Sequence, residues 1–419
     1  MSYLLFFIYL ISFSWILTKI GFIKRSGLSN KVIVILFLSK VSAGLISGRI
    51  SEHAPSMDTW LYHHEALIEY HLLFDNPIAY FTNIFQSGYE HTYQGVLQFH
   101  DSFWNDLKNN LMVKFVSTLH LASGGNYYIN VILFNFLVFF GCIALFRVFK
   151  QIFPSDNYLV ISGVFLLPSV LLFSSTIHKE GLIMAAFGLL FFSLFSIFSI
   201  GKINIKKLTA IFFSLLVIFL FRSYLLLLLL PGLAAWYVGF RYKHNFVLIT
   251  SIVYAVFLLM FFNFQRIVPA VNLPLLVVQK QADFFGLEKA RSYVITSQLS
   301  PNTGSFLNNL PQALAHSLGR PFLTDYTLSA PLLLFAVELF FYQLLFVLFL
   351  FFRKQSPKMN PFIYFSIFFS ISVLLIIGYT VPVIWAIIRY RSIYLPFLII
   401  PLLCNINWEK IVALFQSKK

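Results

Sequence analysis

The sequence predicts an all-α protein, a polytopic integral-membrane helix bundle of about eleven spans that forms one transmembrane domain over residues 1–419. Three observations carry this. Charged residues make up 11% of the chain, against about 25% in soluble domains. Hydrophobic residues make up 59%, with a mean hydropathy of +0.82, which calls for a bilayer as solvent. Apolar runs of roughly 20 residues, enough to cross a hydrocarbon core about 30 Å thick, recur along the whole chain. The composition excludes a disordered chain, an ordinary cytosolic enzyme and, with two cysteines, a disulfide scaffold.

In order, the apolar runs are 4–22, 32–48, 128–147, 158–176, 182–200, 208–221, 223–240, 246–263, 328–352, 361–380 and 388–404. The first has no basic stretch before it and no small-residue cleavage site after it, so it reads as a retained helix. The stretch 208–240 is interrupted by Arg222; it is a close hairpin or one long tilted helix. Cys142 and Cys404 lie in apolar runs, and neither implies a bridge.

Orientation follows from the bias of Lys and Arg toward cytoplasmic loops. Lys24, Arg25, Lys31, Arg147, Lys150, Lys202, Lys206, Lys207, Arg241, Lys243, Arg353, Lys354, Lys358, Lys410, Lys418 and Lys419 fall on one side when the spans alternate as given. That side is the cytoplasm, which places the N-terminus outside and the C-terminus inside. The acids check this independently. Of fifteen, Asp156 and Glu409 fall on the cytoplasmic side, Glu338 lies within a span, and the rest fall outside. The net charge of +15 is dispersed at the ends of apolar runs, so it reads as topogenic and predicts no nucleic-acid partner.

Two segments on the outer side are long, 49–127 and 264–327. Loops of that length are usually functional or disordered, and the first is too rich in Trp, Tyr, His and Phe for disorder. It predicts short amphipathic helices in the membrane interface. The second, with Pro269, Pro274, Pro301 and Pro311, predicts a broken helix-loop segment.

Polar residues that break the membrane rule mark the candidate site. Lys179, Arg222, Arg320, Arg389 and Arg391 abut or interrupt apolar runs on the outer side, where positive charge is disfavoured. Singly, each is a snorkelling side chain; together they predict a shared anion, a lipid phosphate or pyrophosphate. Asp58 opens a segment in which Tyr62, Glu65 and Glu69 follow on one helical face. A carboxylate there can act as general base on a hydroxyl or hold a divalent cation; otherwise it is a solvated face. His63, His64 and His71 match no closed zinc spacing, so no metal site is predicted. The stretch 167–182 is the densest polar cluster. Pro168 distorts the helix, Ser174, Ser175 and Thr176 place hydroxyls at the interface, and His178, Lys179 and Glu180 supply a titratable base, a cation and an acid. A capped turn is the ordinary alternative. Lys40 and Glu338 lie near mid-depth, and the expectation is an intramembrane ion pair between them.

No phosphate-binding glycine loop, dinucleotide fingerprint, zinc-protease helix or nucleophile elbow occurs in a fitting context. An ATP-driven machine is therefore not expected, and no cofactor is assigned.

Three stretches resemble a known class: Asp-Thr-Trp-Leu-Tyr at 58–62, Pro-Ser with Ser-Ser and His-Lys-Glu-Gly over 168–181, and Arg-Tyr-Arg-Ser-Ile-Tyr-Leu-Pro at 389–396. With Arg320-Pro321-Phe322 upstream of Glu338, these are similar to bacterial polytopic glycosyltransferases of GT-C type and to O-antigen or exopolysaccharide polymerases. The resemblance implies an inner-membrane enzyme of cell-envelope polysaccharide biosynthesis, acting on a polyprenyl-phosphate-linked glycan beside membrane lipid and other envelope-assembly proteins. It implies Asp58 as catalytic acid or base, with Lys179, Arg222 and Arg389 or Arg391 on the donor phosphate. Two departures stand out. Such transferases place the acid after the first span, whereas here it follows the second, and the loop has no paired Asp-Glu or Asp-x-Asp.

The expectation is therefore a sugar or oligosaccharide transferase in which Asp58, His178 and Glu180 are catalytic and Lys179, Arg222, Arg320, Arg389, Arg391 and Tyr62 bind substrate. The rival readings are a transporter or flippase for a lipid-linked anionic glycan, slightly favoured by a mid-membrane Lys40, and a non-enzymatic subunit of an export machine.

Overall fold

The computed structural model describes residues 2–52, 58–89, 102–201, 203–242, 245–325, 329–355 and 360–416. Chain order gives α1 (Ser2–Lys19), α2 (Gly21–Lys24), α3 (Asn30–Ser51), α4 (Asp58–Asp75), α5 (Pro77–Thr82), α6 (Phe103–Ser123) and α7 (Tyr127–Ile152). There follow α8 (Asn157–Ile161) with a π-helical turn at Ser162–Leu166, α9 (Pro168–Ser175), α10 (Lys179–Ile200), α11 (Ile205–Arg222), α12 (Tyr224–Tyr242) and α13 (Phe246–Ile267). The rest are α14 (Leu273–Gly286), α15 (Thr303–Leu314) with a second π turn at Ala315–Gly319, α16 (Ala330–Phe351), α17 (Pro361–Thr380), α18 (Ile384–Ser392), α19 (Leu395–Asn405) and α20 (Trp408–Gln416). Among the described residues the extended pairing is limited to two isolated bridges, Tyr293–Val383 and Arg353–Ile406.

Local chemistry fixes many of these boundaries. An asparagine side chain accepts a hydrogen bond from an amide of the first turn at the start of α5, α11, α13, α14, α15 and α17. Ser29 and Ser102 do the same for α3 and α6. Gly124 and Gly201, at φ +60° and +70°, end α6 and α10 in the left-handed conformation that suits glycine.

Among the described residues, seven helices are long and apolar enough to cross a membrane, or nine if each of two bent pairs is one span. The seven are α3, α7, α10, α12, α13, α16 and α17. The bent pairs are α8 with α9, turned by 51° around Leu167–Pro168, and α18 with α19, turned by 65°. All of these positions coincide with expected spans. The expected count of about eleven also included 4–22 and 208–221. The apolar part of α1 is shorter than a span, and α11 carries Lys206, Lys207 and Arg222 in its terminal turns. The segment 49–127, expected to hold short interfacial helices, contains the long helices α4 and α6 packed on each other, with the short α5 beside α4. Residues 53–57 and 90–101 of that segment lie outside the described residues.

The chain divides into two compact units: Met1–Arg147 with Val170–Ile197 and Gly201–Ser223, and Val148–Ser169 with Phe198–Ile200 and Tyr224–Lys419. In the first unit α7 is the central helix and mostly buried. It meets α10 through small residues: a Cβ on Gly141 would lie 2.2 Å from the Ala185 Cα, and one on Gly188 would lie 1.9 Å from the Gly141 carbonyl oxygen. Small residues allow this approach where hydrocarbon outside gives helices no hydrophobic reason to associate. In the second unit α17 is central, packed by α12, α13, α14, α15 and α19. Trp236 stacks on Phe365 at 5.2 Å, and in α13 Thr250 is the one fully buried residue.

Candidate functional site

In the first unit, α9 ends at Ser175 and α10 begins at Lys179, so the intervening turn carries the polar cluster singled out from the sequence. His178 sits in extended conformation at the N-cap of α10. Asp58 is the first residue of α4, where the helix dipole favours a carboxylate. The two meet: His178 Nε2 lies 2.7 Å from Asp58 Oδ2. The other ring nitrogen, Nδ1, faces Glu180 Oε2, and Glu180 Oε1 accepts from Arg222 Nη2 at 2.5 Å. The chain of contacts thus runs Asp58–His178–Glu180–Arg222, from α4 through the turn to the end of α11.

Lys179 points to the same place. Its Nζ donates to Asn109 Oδ1 at 2.7 Å and lies 5.5 Å from the centre of the Tyr62 ring. The Tyr62 ring lies 5.9 Å from that of His178. Lys108, on α6 beside Asn109, feels the Arg222 charge; burial and that charge lower its pKa to about 8. Lys179 and Arg222 therefore lie beside the carboxylates of Asp58 and Glu180, and Lys108 is close enough to both cations to feel their charge.

Burial separates the two acids. The Asp58 side chain is 38% exposed and that of Glu180 is 1% exposed. Asp58 is the carboxylate that a substrate can reach, and Glu180 lies behind His178, tied to Arg222. An imidazole with a carboxylate beside each nitrogen is held in orientation by both of them. Asp58, Tyr62, His178, Lys179, Glu180 and Arg222, far apart in sequence, are thus brought together. Glu69, three turns along α4 from Asp58, accepts from Asn83 at 2.7 Å and pairs with Lys114, joining α4 to α6.

The sequence reading missed Lys108 and Asn109. Their signal was faint, because a Lys in a polar helix outside the apolar runs breaks no rule. Among the described residues no group of three or more His, Cys, Asp or Glu is arranged to hold a metal ion.

The remaining expected residues lie in the second unit. Arg320 pairs with Asp325 at 2.8 Å. Arg391, 2% exposed, donates through Nη1 to the carbonyl oxygens of Ser317, at 3.2 Å, and Arg320. Arg389 donates to the Tyr390 hydroxyl at 3.3 Å.

The expected Lys40–Glu338 pair gives way to two separate arrangements. In the first unit Lys40 Nζ donates to Ser174 Oγ at 2.7 Å, Ser175 Oγ at 3.0 Å and the Ser174 carbonyl at 3.4 Å. In the second unit both Glu338 oxygens lie 3.1 Å from the Ser169 amide, Oε1 accepts from Ser169 Oγ at 2.9 Å, and the Tyr342 hydroxyl donates to the same oxygen. Hydropathy fixes depth along the membrane normal, not the azimuth of a side chain, and the sequence reading had overlooked helix ends as partners for buried charge.

The fold and this cluster define a polytopic helical membrane protein with an acid–histidine–cation centre. No family model matches the sequence, and neither curated proteins nor solved structures gave a significant match.

Proposed function

We propose that the chain is a membrane transferase that moves a sugar or oligosaccharide from a polyprenyl-(pyro)phosphate carrier to a hydroxyl acceptor, with the centre in the first unit as its active site. One observation supports this above the others: the solvent-reachable carboxylate, Asp58, is backed by His178 and flanked by Lys179 and Arg222. In this reading the acceptor hydroxyl gives its proton to Asp58 and its oxygen bonds to the anomeric carbon. The carbon–oxygen bond to phosphate breaks, and the phosphate leaves with the electron pair. Lys179, Lys108 and Arg222 stabilise the charge that develops on it. Glu180 does not touch substrate; it orients His178.

The same reading places the protein in a bacterial inner membrane with about eleven spans, the N-terminus outside, the C-terminus in the cytoplasm and the active site on the outer side. Its partners there are the lipid-linked glycan, membrane lipid and envelope-assembly proteins. The rival transporter reading drew on a mid-membrane Lys40, whose ammonium is instead bonded to Ser174 and Ser175.

The test is Asp58→Asn in the full chain, with lipid-linked glycans and finished surface polymer measured by mass spectrometry. Transfer falls by about 100-fold or more, the unused lipid-linked donor accumulates, and the protein level in the membrane is unchanged. Wild-type polymer from that variant removes Asp58 from the mechanism and the transferase reading with it.

A further inference from the structure

Lys40 lies on α3 with its side chain all but sealed, 1% exposed. Its three acceptors, Ser174 O, Ser174 Oγ and Ser175 Oγ, belong to the last two residues of α9. The last carbonyls of a helix have no partner within it, and hydrocarbon offers none. A cation at that end also meets the negative pole of the helix.

Other groups close the same end. Asn135 Nδ2, on α7, donates to the Ser175 carbonyl at 2.8 Å. Thr176 Oγ1 donates to Ser47 Oγ at 2.7 Å. A Cβ on Gly44 would lie 2.6 Å from the Ser175 carbonyl oxygen, so α3 approaches that oxygen as closely as only glycine permits. Lys40, Gly44 and Ser47 follow at i, i+4 and i+7, one stripe of α3 laid along residues 174–176. His178 comes two residues later.

We propose that Lys40 is a positioning residue for the centre described above. Its ammonium closes the C-terminal end of α9, and that closure sets the backbone of the turn that holds His178 between Asp58 and Glu180. The assignment rests on the transferase reading for its catalytic consequence and on geometry alone for the clamp. Lys40 acts through the backbone of residues 174–178 and takes no part in the chemistry. The groups that face His178 are Asp58, Glu180 and the Tyr62 ring, with the charges of Lys179 and Arg222 next to them.

The clamp is read by cross-linking. Ser47→Cys and Thr176→Cys are introduced together into the full chain, with Cys142 and Cys404 changed to alanine, and native membranes are treated with copper phenanthroline. A disulfide forms with Lys40 in place and is lost with Lys40→Met. Its consequence is read in the same membranes as transfer from the cells' own extracted lipid-linked glycans. Lys40→Met lowers kcat by about 100-fold, the scale of a misplaced catalytic group, with KM little changed. The acid limb of the pH profile moves, because the His178–Asp58 contact is no longer held. Lys40→Gln, which keeps a donor, recovers part of both.

Undiminished cross-linking in Lys40→Met, with a wild-type pH profile, overturns the proposal. If Lys40→Met does not accumulate, Lys40→Gln carries the test: slowed cross-linking and an altered profile support the clamp, and wild-type behaviour in both refutes it. If cross-linking depends on Lys40 while the wild type transfers nothing, the clamp stands and the transferase reading fails.

Discussion

The two units hold buried charge in different ways. In the first, Arg222 and His178 meet carboxylates, so cation and anion are both side chains and both can change partner. In the second, Arg391 rests on two backbone carbonyls, and Glu338 takes the Ser169 amide together with the neutral hydroxyls of Ser169 and Tyr342, with no cation among these partners. A side-chain set can shift its protons and bind a ligand by exchange of partners. A charge spent on the backbone holds the chain in place and has nothing to exchange. By that distinction the exchangeable charges are those around His178, where the proposed active site lies, while Lys40 in the first unit and Arg391 in the second are held by groups that end helices.

The comparison breaks most visibly at Glu338 and Arg391. Glu338→Leu leaves the Ser169 amide and the Tyr342 hydroxyl without their acceptor, and Arg391→Met strips the Ser317 and Arg320 carbonyls of their donor. Each orphaned buried group costs about 1–3 kcal/mol. The expected result is a large fall in melting temperature in detergent and reduced membrane levels. His178→Ala, in the first unit, abolishes transfer by a factor of about 100 or more with much less effect on melting. The reverse pattern would exchange the roles assigned to the two units.

Lys108 sharpens the comparison through pH. Its pKa near 8 means that its charge is lost as pH rises through that value. A phosphate-bearing donor is then held by one cation fewer, so kcat/KM falls above about pH 8. Lys108→Met lowers kcat/KM at pH 7 and removes this alkaline limb; an unchanged limb excludes Lys108 from the donor site.

The smallest effect belongs to His63. Burial, with His120 and His64 nearby, lowers its pKa to about 3. The unfolded chain takes a proton there near pH 6.5 and the folded chain does not, so this contribution is complete above about 6.5 and is lost as pH falls toward 3. His63→Leu flattens the acid dependence of the melting temperature without moving the pH profile of transfer.

Much of this was legible before any coordinates. Long apolar runs announced every helix able to cross a membrane, and Pro168 announced the bend before α9. His178, Lys179 and Glu180 are consecutive, so their shared location was visible as text. Their meeting with Asp58, 120 residues away, was legible only as a match of chemical types. Lys108 and Asn109 were not legible, because polarity in a helix outside the apolar runs carries no surprise. Lys40 and Glu338 were read as each other's partner, and the structure gives each its own polar groups, Ser174 and Ser175 for one and Ser169 and Tyr342 for the other. A serine amide or carbonyl has the same letter code whether or not it ends a helix.

The asparagines that open α11, α13 and α17 have a consequence for assembly. Each such bond closes within three residues of its own stretch, so the level at which that rod begins is settled before any neighbour arrives. Biogenesis can then proceed by sideways docking of finished rods, and a faulty molecule would carry the wrong companions at the right height.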